Sequence, residues 1–119
     1  MPASVTVTIN GTAFTAELVD NESARALAAL LPAEFTMSEL NGNEKYVYLD
    51  DSLPAAPERV GSIEAGDIML FGSDCVVVFY RSFTTGYSYT RLGRIADPAG
   101  LPDAVGTGSA QVSFRIAGA

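Results

Sequence analysis

Two tyrosines and an arginine alternate along the segment YSYTRLGR, residues 87–94. On a β-strand successive side chains point to opposite faces, so Tyr87, Tyr89 and Arg91 would share one face. Tyrosine and arginine are enriched in recognition surfaces, and the guanidinium fork suits a carboxylate or a carbonyl group. Strands also favour tyrosine without any ligand, and arginine stems cover apolar surface. The pattern therefore fits either a binding face or an ordinary amphipathic surface.

The partners of Arg91 distinguish these two interpretations. An arginine kept only for structure would be paired, because a buried unpaired charge is costly. We therefore predict that Arg91 and Tyr89 point into a solvent-reachable concavity, and that Arg91 lacks a full bidentate carboxylate partner. A second polar group lies in the segment NGNE, where Glu44 follows Asn41 and Asn43. These residues form either a polar cluster or simply a hairpin turn, in which asparagine is common.

The sequence lacks the residues that several kinds of catalytic and cofactor sites require. The chain has no histidine and a single cysteine, Cys75, so we expect no zinc, haem or iron–sulfur site and no cofactor. Nucleophile arrangements that need a histidine base are excluded as well. No glycine-rich loop opens a helix to cradle phosphate. Cys75 begins the apolar run CVVVFY, which is typical of a buried and inert thiol.

The charge balance limits the partners. Fourteen acidic and seven basic residues give a net charge of −7, which repels phosphate backbones and anionic lipid surfaces. We expect neither nucleic acid nor a membrane as a partner, but a small molecule or a peptide. The first residues, MPASVTVTING, lack the basic and apolar regions of a signal peptide, so the expected location is the cytoplasm.

Alternating apolar and polar residues predict about eight short strands in the 119 residues. The clearest pair is the hairpin of SVTVTI and TAFTAELV, because Asn10 and Gly11 between them favour a type I′ turn. One helix is predicted, over ESARALAALL, and Pro32 ends it. The segment 50–66 is expected to be a connection without regular pairing, because Pro54 and Pro57 interrupt it.

These elements predict one mainly β domain over residues 1–119. Short strands in this number fit a sandwich or a small barrel, and closure favours the barrel because it leaves no exposed sheet edge. The helix would cap one open end. The predicted core consists of Val5, Val7, Ile9, Phe14, Leu18, Leu27, Leu30, Ile68, Leu70, Val76, Val78 and Phe114.

Four stretches together resemble one known family: VTINGTAFTAEL with ARALAALLP, LNGNEKYVYLD, GSIEAGDIMLFG and CVVVFYRSFTTGYSYTRLGRI. Over roughly Val5 to Phe114 the chain is similar to the bacterial cyclophilin-like fold proteins, small domains whose cellular role is not established. The resemblance implies a closed eight-stranded cyclophilin-like β-barrel capped by one α-helix.

Cyclophilins are prolyl isomerases that use an arginine in an apolar pocket with Phe, Trp, Gln and His around it. This sequence has no Trp and no His, and Gln111 is its only glutamine. The arginine signature is also missing, because Arg81 and Phe83 are too close together to match it. A shared fold does not by itself carry over an activity, so the resemblance implies the barrel and leaves isomerase activity doubtful.

With this resemblance, the aromatic segment becomes the candidate ligand-binding site. We predict that it consists of an arginine that binds an anion or a carbonyl group, three tyrosine walls and two secondary turn residues: Arg91; Tyr89, Tyr80 and Tyr48; Glu44 and Asn41. The leading hypothesis is a non-enzymatic binding module that holds a small polar ligand or a peptide segment in a groove. The alternatives are a weak prolyl isomerase with a divergent site and an enzyme acting on a small carbonyl compound.

Overall fold

The computed structural model describes residues 3–117. Within this range the eight longer strands are β1 (Ser4–Ile9), β2 (Thr12–Leu18), β3 (Ala33–Leu40), β4 (Glu44–Tyr48), β7 (Asp67–Phe71), β8 (Cys75–Phe79), β10 (Ser88–Ile95) and β11 (Ala110–Ile116). Three strands of two residues are β5 (Glu58–Arg59), β6 (Ser62–Ile63) and β9 (Phe83–Thr84). The helices are α1 (Glu22–Ala29) and α2 (Leu101–Val105).

The longer strands form one closed antiparallel barrel. Around it the order is β2-β1-β11-β3-β4-β8-β7-β10, and β10 pairs back onto β2. β5 is attached to β10, while β6 and β9 form a separate ribbon. The predicted mainly β fold, an eight-stranded cyclophilin-like barrel capped by a helix, is confirmed.

The hairpin of β1 and β2 follows the predicted alternation. The apolar face of β1 points into the barrel, where it is fully buried: Val5, Val7 and Ile9. The residues between them are partly exposed. Asn10 and Gly11 both have positive φ, at 48° and 89°, as a type I′ turn requires. The other predicted core residues are buried too, except Leu30.

The barrel closes where β10 meets β2, and the contact there needs a glycine. Gly93 is paired with Leu18, and the register of β10 shifts between Arg91 and Gly93. A Cβ atom at position 93 would lie 2.5 Å from the carbonyl oxygen of Glu17, closer than such atoms approach. The missing side chain therefore lets the two strands pair.

Helix α1 covers one end of the barrel. Its N-cap is Asn21, whose Oδ1 accepts a hydrogen bond from the N–H of Ala24 at 2.7 Å, and Leu27 lies in the barrel core. The helix stops one residue before Leu30, so the prediction that Leu30 is buried is wrong, and its side chain is 48% exposed. The chain turns here toward β3, and Leu31 packs against the core instead.

Helix α2 lies at the opposite end, beside the turn between β1 and β2. The Nδ2 of Asn10 donates to the carbonyl oxygen of Ala104 at 2.9 Å, and Leu101 and Val105 are buried in the barrel core. Neither helix of the described chain has the length and apolar character needed to span a bilayer.

A second apolar cluster lies outside the barrel, on the outer face of β8, β7 and β10. Its buried members are Ile63, Met69, Cys75, Val77, Phe79 and Tyr89. The ribbon of β6 and β9 covers one side of it. The prediction that segment 50–66 has no regular pairing is therefore wrong for its last residues. Proline removes only its own N–H group, and pairing begins at Glu58, directly after Pro57.

Candidate functional site

Strand β4 presents three chemically active side chains on the outer face of the barrel. Glu44, Tyr46 and Tyr48 alternate along it, while Lys45 and Val47 between them face the interior. Strand β4 pairs with β8, in which Val77 is the partner of Tyr46 and Cys75 is the partner of Tyr48. The period of two on β4 thus builds one wall of a pocket above an apolar floor.

The opposite wall comes from β7 and from the start of β10. Phe71 ends β7, and its ring lies 6.0 Å from that of Tyr87 and 5.7 Å from that of Tyr89, between centroids. On the β4 side, the rings of Tyr46 and Tyr48 lie 5.9 Å apart at 81° to each other. Such tilted and edge-to-face contacts hold the rings as adjoining walls, not as a stack.

These walls enclose a pocket of about 320 Å³, which we call the aromatic pocket. This volume is at the small end of the range for ligand sites. Its walls are mostly aromatic and its floor is apolar: Leu40, Asn41, Glu44, Tyr46, Tyr48, Phe71, Cys75, Val77, Tyr87 and Tyr89.

Glu44 is the one ionisable carboxylate of the aromatic pocket. Its side chain is only 8% exposed, because it lies between Leu40 on β3 and Phe79 on β8. Among the residues that the structure describes, none donates a hydrogen bond or forms an ion pair to this carboxylate. Burial raises the pKa of Glu44 above its ordinary value, and the charge of Glu39 raises it further. The ionised form is therefore poorly compensated.

A different arrangement is found inside the barrel mouth, where Lys45 is 1% exposed. Its Nζ donates to Glu39 at 2.9 Å and to the carbonyl oxygens of Gly106 and Gly108. The hydroxyl of Tyr80 also donates to Glu39, at 2.6 Å. We call Lys45, Glu39 and Tyr80 the Lys45 network.

The Lys45 network is saturated with hydrogen bonds. Burial alone would raise the pKa of Glu39, but hydrogen bonds from Tyr80, Lys45 and the N–H of Gly42 outweigh it and hold the pKa below its ordinary value. Burial, together with the bond to Glu39, raises the pKa of Tyr80 to about 12. The network therefore holds the mouth of the barrel together and has no free acid or base to offer.

Arg91 lies outside the aromatic pocket. It is paired with Met69 across the strands, and its side chain is 45% exposed. The Nε of Arg91 donates to Oε1 of Glu58 on the short strand β5 at 3.0 Å. This contact is a single bond at the surface, so Arg91 is neither sealed in a bidentate pair nor part of the same concavity as Tyr89.

Four of the six predicted site residues meet in the aromatic pocket: Asn41, Glu44, Tyr48 and Tyr89. The other two are elsewhere, because Tyr80 points into the barrel mouth and Arg91 lies beside β5. Sequence reasoning missed Tyr46 and Phe71. The alternation of KYVYL places Tyr46 on the same face as Tyr48, so Tyr46 could have been predicted as a site residue. Phe71 could not, because only the order of the strands in the barrel brings the end of β7 to the pocket.

Burial favours the neutral forms of two further groups of the aromatic pocket, the thiol of Cys75 and the phenol of Tyr89. Burial raises the pKa of the Cys75 thiol to about 11, with smaller contributions from Asp74 and Glu44. Burial also raises the pKa of Tyr89. Within residues 3–117, no group of three histidine, cysteine or acidic side chains is placed to hold a metal ion. At neutral pH the Cys75 thiol is therefore protonated and is not poised as a thiolate nucleophile.

Comparison with known proteins concerns the fold. A family model described as the Cyclophilin-like family matches residues 7–117. Among solved structures, the chain is similar to the solution structure of a hypothetical protein from Archaeoglobus fulgidus, with a TM-score of 0.64 and 17% sequence identity. That similarity covers 98% of this chain and 95% of the other. No curated protein sequence matches this chain significantly.

Proposed function

The chain belongs to the cyclophilin-like family, and from this premise we propose that it is a non-enzymatic binding module. Its aromatic pocket would hold a small polar ligand or a side chain of a peptide segment. The observation that carries the proposal is a concave, aromatic site around one buried carboxylate, Glu44. Apolar pockets with a few convergent polar groups are the usual form of ligand sites.

The chemistry of the pocket supports binding in preference to catalysis. General acid–base catalysis needs groups whose pKa values lie near the working pH, and nucleophilic catalysis by cysteine needs a thiolate. The Cys75 thiol has a pKa of about 11 and is therefore protonated at neutral pH. Burial raises the pKa of Glu44 toward the range that a general acid or base needs, but Glu44 would act alone, since the described lining of the pocket contains no second carboxylate or basic side chain.

The same lining bears on the isomerase alternative. The resemblance to cyclophilins implies an arginine in the apolar site, but the lining of the aromatic pocket contains none. Arg91, the arginine predicted from sequence, instead bonds to Glu58 at the surface. A chymotrypsin-coupled assay with a proline peptide tests this alternative. Turnover clearly above the uncatalysed rate that is lost with Tyr48→Ala would overturn the non-enzymatic proposal.

A thermal-shift screen with metabolites and short peptides tests the proposal directly. A compound that binds only the native state at about 100 times its Kd raises stability by about 2.7 kcal/mol, which is readily detected. The shift should be lost in Tyr48→Ala, whose side chain is 64% exposed and lines the pocket. Leu30→Ala is the matched control, because Leu30 is 48% exposed and lies outside the pocket. A compound that still shifts the melting temperature of Tyr48→Ala would bind outside the aromatic pocket.

We also propose that the protein works in the cytoplasm with a small molecule or a peptide as partner. The support is the single cysteine, which is free and buried, and the net charge of −7. A lone thiol fits a reducing compartment, and the negative charge opposes binding to nucleic acid. Cell fractionation with an antibody against the chain checks the location.

A further inference from the structure

We propose that the aromatic pocket takes an organic cation, a substituted ammonium group held between the tyrosine rings and the carboxylate of Glu44. This inference rests on the proposed binding function and adds the charge and the chemical class of the ligand. It is argued from the unpaired charge, the aromatic walls and the size of the pocket.

The charge argument begins with Glu44. The residue is only 8% exposed, it lines the aromatic pocket, and its carboxylate has no hydrogen-bond or ion-pair partner among the described residues. A buried charge without a partner is costly, and the cost is removed when a cation binds beside it. The contrast with Glu39 is informative, because that carboxylate has three protein donors and needs no ligand.

The aromatic walls favour the same ligand. Tyrosine and phenylalanine rings attract cations through their negative faces, and the attraction grows when the site is desolvated. The pocket brings together four of the five tyrosines of the chain with Phe71. Rings set at steep angles to one another, such as Tyr46 and Tyr48 at 81°, form the corner of a cage. Recognition of quaternary ammonium groups commonly uses such cages.

Other ligand charges fit less well. An anion would meet Glu44 without any lysine or arginine among the lining residues to offset the repulsion. A bare metal ion would find one carboxylate and few other hard ligands, whereas such ions take several oxygen ligands. A pocket of about 320 Å³ is large enough for a trimethylammonium group with a short tail. The net charge of −7 also attracts cations toward the surface.

The test compares choline with its neutral isostere, 3,3-dimethyl-1-butanol, which has the same shape without the charge. Each is titrated at pH 7 and fixed ionic strength into isotopically labelled protein, and amide shifts are followed by NMR. We expect saturable choline binding with shifts centred on β4, β8 and Phe71, and at least tenfold weaker binding of the neutral compound. Equal affinities would overturn the cation proposal and leave the proposed binding function standing.

Variants identify the group that selects the charge. Glu44→Gln keeps the shape and should weaken choline binding at least tenfold without changing the affinity for the neutral isostere. The matched control is Glu58→Gln, which removes a carboxylate outside the pocket and should change neither affinity. Tyr48→Ala alters an exposed side chain, so the fold should survive, and it should weaken choline binding as well.

Two outcomes contradict the inference in different ways. Choline binding that survives Glu44→Gln would show that this carboxylate does not select the cation, and the cation proposal would fail. If choline, the isostere and every compound of the thermal-shift screen failed to bind, the pocket would not be a ligand site at all. The proposed function would then fail together with the inference.

Discussion

Tyr89 and Arg91 stand two residues apart on the same face of β10, yet only Tyr89 lines the aromatic pocket. Tyr89 is 4% exposed and contacts the rings of Phe71 and Phe79. The side chain of Arg91 lies at the surface, where it bonds to Glu58 on the short strand β5. A shared face along one strand therefore does not ensure a shared site, because the neighbouring strands determine what each residue meets.

Arg91→Ala should have little effect on stability or on binding in the aromatic pocket. Surface ion pairs contribute about 0–1 kcal/mol, and the pair with Glu58 is about half exposed on both sides. We expect the unfolding free energy to fall by less than about 1 kcal/mol in urea titrations, with choline affinity unchanged. A loss of choline binding would restore Arg91 to the site that the sequence predicted.

Glu44→Gln should stabilise the protein at pH 7. Burial raises the pKa of Glu44, so the folded state holds this proton more tightly than the unfolded chain does. The cost of the charge is therefore present above the raised pKa and disappears as the pH falls through it to the ordinary value near 4.5. We expect the variant to be more stable than the original protein at pH 7 and nearly equal to it below pH 4.5.

Urea denaturation of both proteins at each pH measures this difference. Other titratable groups face Glu44 from its own strand, from the adjacent strands β3 and β8, and from β10 across the pocket: Tyr46 and Tyr48, Glu39 and Cys75, and Tyr89. Their contributions are common to both proteins and cancel in the comparison to first order. A variant that is less stable than the original protein at pH 7 would mean that the carboxylate has a favourable partner.

Tyr80→Phe should destabilise the barrel mouth. The hydroxyl of Tyr80 donates to the carboxylate of Glu39, and a hydrogen bond to a charged group contributes about 1.5–3 kcal/mol. Because Glu39 is 24% exposed, we expect a loss near the lower end, measured by urea denaturation. Tyr48→Phe is the control, since its side chain is 64% exposed, and it should change stability by less than about 0.5 kcal/mol. Equal losses would contradict the Lys45 network.

Leu27→Ala and Leu30→Ala form a matched pair on helix α1 and its end. Leu27 is 1% exposed in the core, so its truncation should cost about 2–5 kcal/mol. Leu30 is 48% exposed, and its truncation should cost less than about 0.5 kcal/mol. Thermal and chemical denaturation both measure the difference. Similar losses of stability for the two variants would mean that Leu27 does not lie in the barrel core while Leu30 stays at the surface.

Cys75 should react slowly with thiol reagents in the native protein. Its side chain is 4% exposed, and burial raises its pKa to about 11, so little thiolate is present at pH 8. We expect labelling with Ellman's reagent to be much slower than in urea, where the thiol is exposed with an ordinary pKa. Native labelling as fast as in urea would contradict the buried position at the floor of the pocket.

The fold could largely be predicted from the sequence, because strand alternation and turn residues are local signals. The segment SVTVTI with Asn10 and Gly11 specifies its own faces and its own turn, and the structure has both. Leu30 was misplaced because helical periodicity does not reveal where the chain leaves the helix. The pairing of β5 and β6 was missed because strands of two residues carry no periodic signal.

The sequence by itself determined which side chains share a face of each strand, since a pleated strand alternates at every residue. It therefore put Glu44 with Tyr48, and Tyr87 with Tyr89. Only the tertiary structure decided that these two groups face each other, because β8 and β7 lie between β4 and β10 in the closed barrel. Strand order also decided that Glu44 is buried without a partner, since burial depends on side chains from strands distant in the sequence.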